Sequence, residues 1–368
     1  MLSKQSEQGR KNMKYNTLLV TGGAGFVGSN LAISFKIKYP KLKVIALDNL
    51  KRRGSEMNLR RFKEHEIEFV HGDIRNSEDL EFETKIDLLI ECSAEPSVLA
   101  GYGGSPAYLI NTNLMGTINC LEMARKNKSD VIFLSSSRIY PYGAINNIEI
   151  IEKDTRFDWK EGQQFQGWST DGIDESFPLE GPRSLYGATK LSSEFILTEY
   201  IGMYGIRGII NRCGVIAGPW QFGKVDQGVF TLWMLGHYFK KKLSYIGFNG
   251  SGKQVRDLLH IEDLFELIDV QISDMNKISG KIYNIGGGRE MSLSLLETTK
   301  LCEKITGNKI KFKCISENRP ADLIIYITDN KKVAADFRWR PKRSAEELLE
   351  DIHSWIRVNE KDIINCLL

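Results

Sequence analysis

Tyr186 and Lys190 stand four residues apart in Tyr186-Gly187-Ala188-Thr189-Lys190. On a helix that spacing places a phenol and an ammonium on one face, within reach of one substrate atom. A phenol left alone titrates near 10, and a cation within roughly 4–6 Å favours the phenolate. The pair therefore suits removal of a proton from an alcohol near neutral pH. Alone it would arise often by chance, and it gains meaning from a second pattern upstream.

That pattern is Gly22-Gly23-Ala24-Gly25-Phe26-Val27-Gly28, between an apolar run at Asn16 to Thr21 and a helical pattern from Ser29 to Lys38. Strand, glycine turn and helix are the setting in which such glycines bind a dinucleotide. Gly22 permits the tight turn, Gly25 lets backbone approach a pyrophosphate, and Gly28 lets the helix pack close. The free amides around Phe26 and Val27, at the positive end of the helix, face the phosphate charge. Asp48 ends the second apolar strand, Leu42 to Leu47, twenty residues after Gly28. Its carboxylate can accept from both hydroxyls of an adenosine ribose and repels a 2′-phosphate, which favours NAD over NADP. Asn49 beside it and the basic run Lys51 to Arg53 pull the other way. Asp73 and Ile74 suit the adenine edge, or equally cap the third strand.

A proton-accepting phenol needs a partner for the substrate oxygen. Ser135-Ser136-Ser137-Arg138-Ile139-Tyr140 closes an apolar strand at the correct edge of a parallel sheet, and the Ser136 hydroxyl can donate to a developing oxyanion. Arg256 and Arg319 offer planar forks for a diphosphate, although an ordinary ion pair with Asp257 competes for Arg256.

The elements that must position these groups read as α/β. Further strands fall at Ile67 to Val70, Asp87 to Cys92, Asp130 to Ser135 and Gly208 to Asn211, with helices at Thr112 to Lys126 and Ser184 to Met203. Such alternation predicts a doubly wound parallel sheet. Residues 14–211 form the dinucleotide-binding domain, interrupted by an insertion at about 144–183 whose length and tryptophans suggest a lid or substrate-binding segment. Residues 212–368 form a smaller substrate-binding region, from which strands or helices can return to the first domain. Within it, helices are expected at Val229 to Phe239, Ile261 to Ser273, Ser292 to Thr306 and Ser344 to Asn359. Strands are expected at Leu243 to Ile246 and Lys281 to Ile285.

The 368 residues carry 50 lysines and arginines against 47 aspartates and glutamates, dispersed along the chain, which is not a nucleic-acid binder's balance. Six scattered cysteines without a CxxC pair, and no histidine cluster, predict no structural metal and a reducing compartment. No apolar run long enough to span a bilayer is present, and a cytoplasmic protein is expected.

Taken together, TGGAGFVG, the NTNLMGT stretch at Asn111 to Thr117, the serine-rich strand end, YGATK, and GKQVRDLLHIEDL at Gly252 to Leu264 resemble the extended short-chain dehydrogenase/reductase family. This is the class of nucleotide-sugar epimerases and dehydratases, and the likeness covers essentially the whole chain after Lys14. YPYG at Tyr140 to Gly143, the long insertion, and NRCGVIAGPWQFGKVDQG at Asn211 to Gly228 look most like the branch that inverts C2 of CDP-linked sugars. The resemblance implies Ser136, Tyr186 and Lys190 as the catalytic groups, with Lys190 also serving the nicotinamide ribose, and commonly a homodimer or higher homo-oligomer. It places Ser137 and Arg138 where the class's 4,6-dehydratases carry an acidic pair, and neither suits the proton transfers of a dehydration. It also places Arg256 and Arg319 near a sugar nucleotide's diphosphate, and Asn211, Gln221, Lys224, Asp226 and Gln227 around the sugar or base. Trp220 would pack on a sugar face or in the core. The rival readings are a 4-epimerase of a UDP- or GDP-sugar and a non-catalytic NAD-binding scaffold.

Overall fold

A computed structural model describes residues 13–223 and 227–367. Seven strands form one parallel sheet: β1 (Thr17–Thr21), β2 (Lys43–Asp48), β3 (Glu68–His71), β4 (Leu88–Glu91), β5 (Asp130–Ser136), β6 (Gly208–Cys213) and β7 (Ile282–Ile285). Their spatial order is β7-β6-β5-β4-β1-β2-β3, every pairing parallel. The strands are nearly all apolar because both faces are covered.

Period-two alternation then sorts the side chains. Leu18, Val20, Ile90, Ile132 and Ile209 pack with helices α1 (Phe26–Lys38) and α4 (Ile261–Ile278). Leu19, Leu89, Val131, Phe133 and Ile210 pack with α2 (Gly116–Asn127) and α3 (Ser184–Tyr204) on the other face. The helix α1 starts at Phe26, three residues before the amphipathic pattern, because the glycine turn supplies its first turn. The run read as a helix from Ser292 is a short strand, Ser292–Ser294, followed by a helix, Leu295–Thr306. Ser294 and Glu297 close a reciprocal capping box at that junction.

The chain order reverses between β1 and β4, which opens a crevice at the carboxyl ends of the strands. Residues beyond Cys213 build the crevice's other wall. There Val255–His260 pairs with Val215–Ala217, Ser292–Ser294 and Ile325–Tyr326. Helices Val229–Tyr238, Leu295–Thr306 and Ala345–Val358 bury Trp233, Met234, Leu349 and Trp355 in a second core. Meanwhile α4 and β7, from the same half of the chain, return to the first sheet.

The insertion holds two small hairpins, Ile150–Glu152 with Phe157–Trp159 and Trp168–Ser169 with Gly172–Ile173. Arg156 pairs with Glu297, Arg289 with Asp158 and Lys331 with Asp171, and Ile173 bridges to Thr328. Trp159 is buried beside Tyr140, Phe177 and Tyr326. The segment is tethered along its length to the C-terminal half. No described helix is long and apolar enough to cross a membrane.

Candidate active site

One cleft of about 600 Å³ runs along the carboxyl ends of the strands, within the range of small-molecule sites. At one end it is lined by Gly22, Gly25, Phe26, Val27, Gly28, Asp48, Asn49, Asp73 and Ile74, and at the other by Arg138, Arg256 and Arg319. Ser136, Ser137, Tyr186 and Lys190 line it between them.

The dinucleotide end fits its ligand on the geometry of the chain alone. Helix α1 has no side-chain cap and no acidic residue in its first turn, so its leading amides and dipole are left for a ligand in the cleft. A Cβ on Gly28 would be driven into the carbonyl oxygen of Gly22. Gly28→Ala is therefore expected to displace the turn, lowering both melting temperature and the dinucleotide released on denaturation. Wild-type values for both would contradict this packing. Asp48 accepts from Leu50 N at 2.8 Å and Ala24 N at 3.1 Å, which ties β2 to the glycine turn. Burial pushes its carboxyl up, and those amides oppose the shift. Asn49 donates to Asp73 at 2.9 Å. Arg75, forked on Asp73, holds that carboxyl down at about 2.

The reacting groups are set by contacts among β5, α3 and the π-helical turn Asn111–Met115. Asn113 takes Glu95 N at 2.7 Å, donates to Glu95 O at 3.1 Å and reaches Thr189 Oγ1 at 3.3 Å. The loop after β4 is thereby stapled to the helix that carries Tyr186 and Lys190. Gly187 abuts the Arg138 carbonyl so closely that any Cβ would clash, bringing α3 against the serine turn. Arg183 donates to Ile139 O at 2.7 Å across the same junction. The Ser136 hydroxyl accepts from Arg138 N at 3.1 Å. Tyr186 is 9% exposed, and its hydroxyl makes no hydrogen bond to another described residue. An oxygen lining a cleft without a protein partner is available to a ligand.

Below this layer lies a network that the sequence reading missed. Ser135 donates to Glu194, which Arg212 clasps at 2.8 and 3.0 Å. Arg212 also donates to the Tyr140 hydroxyl at 3.1 Å, which in turn donates to Asn284 at 2.8 Å. Glu91 was missed too. It ends β4 and sits 3.7 Å from the Lys190 ammonium, both side chains sealed from solvent. A carboxylate closing an otherwise apolar strand was the available signal. Glu95, which also lines the cleft, followed it four residues later.

Other expectations need correction. Asn211 is not at the site: it faces α4, fully buried, where it and Gln271 exchange amide hydrogen bonds at 2.8 and 2.9 Å. Arg256 lines the cleft, but its fork is turned to Asp322 at 3.0 Å and to the carbonyls of Val255 and Leu323, not to Asp257. Burial lowers that guanidinium to about 10. Gln221 lines the cleft with its amide committed to Ile216 O and Thr231. Gln227 lines it as the acceptor of Arg52. Trp220 lies against Trp355 and Arg61 rather than in the cleft. None of residues 144–183 lines the cleft, so the insertion's tryptophans do not shield it. Lys224 and Asp226 lie outside the described residues. Arg138 is half-buried and lines the cleft, with Ala321 O at 3.2 Å as its hydrogen-bond acceptor and no carboxylate in salt-bridge range among the described residues.

Residues 18–286 match the model of the NAD dependent epimerase/dehydratase family. The chain is 32% identical over 349 residues to CDP-paratose 2-epimerase of Salmonella typhi, covering 92% of this chain and 98% of that one. Among solved structures, UDP-glucose 4-epimerase of Thermotoga maritima with UDP-glucose is 26% identical with a TM-score of 0.74, over 94% of this chain and 99% of that one. The dTDP-glucose 4,6-dehydratase of Bacillus anthracis in complex with NAD is 26% identical with a TM-score of 0.73, over 94% and 97%.

Proposed function

We propose that this chain, a member of the NAD dependent epimerase/dehydratase family, inverts C2 of a CDP-linked sugar by transient oxidation to the 2-keto sugar and re-reduction. It is an NAD-dependent nucleotide-sugar epimerase, and the residues at the glycine turn, Asp48 and Asp73 would hold the cofactor. Bound NAD supplies reversible hydride exchange at the sugar carbon.

The chain's own groups handle the proton and the oxygen. The Tyr186 phenolate takes the proton of the secondary hydroxyl and returns it after the ketone has presented its other face. Ser136 donates to the oxygen as charge develops on it. Lys190 stands one helical turn from Tyr186 and lines the same cleft. Arg138 and Arg319 lie at the substrate end and suit a diphosphate, so binding energy is realised away from the sugar ring, which must turn.

The observation that carries the reading is the pair Ser137 and Arg138 beside Tyr186 in one cleft. Neither can shuttle the protons that a dehydration requires, and a guanidinium with no carboxylate in salt-bridge range among the described residues suits an anionic or hydroxyl-rich ligand. The identity to a CDP-sugar 2-epimerase supports C2 and cytosine.

The test is incubation of purified enzyme with CDP-, UDP-, GDP- and dTDP-sugars, including a CDP-sugar deuterated at C2. Inversion at C2 with deuterium retained on that carbon is expected. Inversion at C4 of a UDP- or GDP-sugar, with CDP-sugars untouched, would replace this reading by the 4-epimerase one.

A further inference from the structure

Glu91 has no place in the chemistry above, yet it occupies a position that chemistry cannot ignore. It ends β4 in register with Thr21 of β1 and Phe133 of β5. Alternation turns its side chain to the α2–α3 face, where Leu89 and Phe133 also point. The Lys190 ammonium arrives there from α3, 3.7 Å from the carboxylate and 4.5 Å from the centre of the Phe133 ring. Neither carboxylate oxygen makes a hydrogen bond of ordinary geometry among the described residues, and the Lys190 charge, with a smaller contribution from the Ser93 amide, is what opposes its desolvation. A carboxylate sealed from water at such a place would be costly if it only filled space.

We infer that Glu91 is a positioning residue for the Tyr186–Lys190 pair: it anchors the ammonium from behind, and its own charge sets how much of the ammonium's field reaches the phenol. The inference rests on Tyr186 being the proton-transfer group, and is independent of the sugar and of the carbon inverted. With Glu91 ionised the pair is close to neutral, and the phenol feels little net charge. With Glu91 protonated the ammonium acts on the phenol alone.

The surrounding groups leave these two to set the balance. Lys190 faces Glu91 from α3, Cys120 from α2 and Cys92 from the adjoining position, while Cys213 of β6 lies near Lys190. Burial pushes all three thiols up, so they stay neutral where the enzyme works. Burial pushes the Glu91 carboxyl up as well, and Lys190 opposes it.

The test uses the full-length, NAD-loaded protein without sugar nucleotide, labelled with carbon-13 at the tyrosine ring carbon bearing oxygen. Tyr186→Phe assigns the signal, which is then followed against pH. In Glu91→Gln, which keeps the shape and removes the charge, the Tyr186 signal should move at a pH lower by about half a unit or more, a one-charge effect on a neighbouring group. Glu91→Asp, which keeps the charge, should lie nearer wild type. Equal midpoints in wild type and Glu91→Gln would overturn the inference. Should Glu91→Gln not fold, the carboxyl signal of Glu91 in wild type serves instead. It should show a second step where the Tyr186 signal moves, because coupled groups titrate together. A single, independent step would refute the coupling. Failure to epimerise any nucleotide sugar would leave both measurements readable, so this inference and the functional reading fail separately.

Discussion

Tyr186→Phe is expected to lower turnover by about 10²–10⁴-fold while leaving the fold and the bound dinucleotide in place. The asymmetry follows from what the phenol touches. Its ring lies against the cleft wall, while its hydroxyl makes no hydrogen bond to another described residue. Removing that oxygen leaves no buried donor or acceptor unpaired, so the melting temperature should hardly move. It does remove the atom that takes and returns the substrate proton. Initial rates on the nucleotide sugar, melting curves and the dinucleotide released on denaturation together decide the matter. Unchanged rates would eliminate the proton-transfer role and favour the scaffold reading.

The largest effect on stability is expected from Glu194→Ala. Glu194 lies under the serine turn with both carboxylate oxygens engaged, by Ser135 on one side and Arg212 on the other. The Arg212 and Glu194 side chains are 5% and 2% exposed. Removing the carboxylate strands a buried guanidinium, which costs about 3–5 kcal/mol. Replacing both partners, as in Glu194→Leu with Arg212→Met, should cost clearly less, because no charge is left unpaired. Denaturant unfolding of the single and double variants measures the difference. A double variant no more stable than Glu194→Ala would show that the pair is not what Glu194 contributes.

The strands most plainly legible in the sequence are those whose burial is two-sided, although the partly exposed strands Glu68–His71 and Leu243–Ile246 were also expected. β1, β2, β4 and β5 appear as apolar runs because helices cover both faces, and the glycine turn announces itself by spacing. The strand Val255–His260 was missed because Arg256 and Asp257 interrupt its apolar pattern, although Arg256 is held by Asp322 and Leu323 O, and Asp257 Oδ2 accepts from the Gly288 and Thr328 amides. The capping box at Ser294 and Glu297 was there to read, yet the run was merged into one helix because the short strand before it has no periodicity of its own. The insertion resisted for a different reason. Its hairpin strands are only two and three residues long and take their order from ion pairs with segments more than a hundred positions away.

Within the site, side-chain type was legible and direction was not. Asn211 and Arg212 are adjacent polar residues on one strand. Period two sends Asn211 to α4 and Gln271, and Arg212 to α3 and Glu194, neither into the cleft. Arg256 looked free for a phosphate because its partner, Asp322, lies far along the chain.

The strand β7 has a consequence for how the chain is made. It flanks β6 along the register from Ile210 with Ile282 to Cys213 with Ile285, so one margin of the sheet is completed only by residues translated late. Until Ile285 has left the ribosome, β6 presents unpaired amides and carbonyls that the finished protein hides, an invitation to pair with a strand of another nascent chain. Shortened products ending near residue 211 should therefore collect as aggregates rather than as a small stable unit, and overexpression should reward slower synthesis or a chaperone that holds that margin until its last strand arrives.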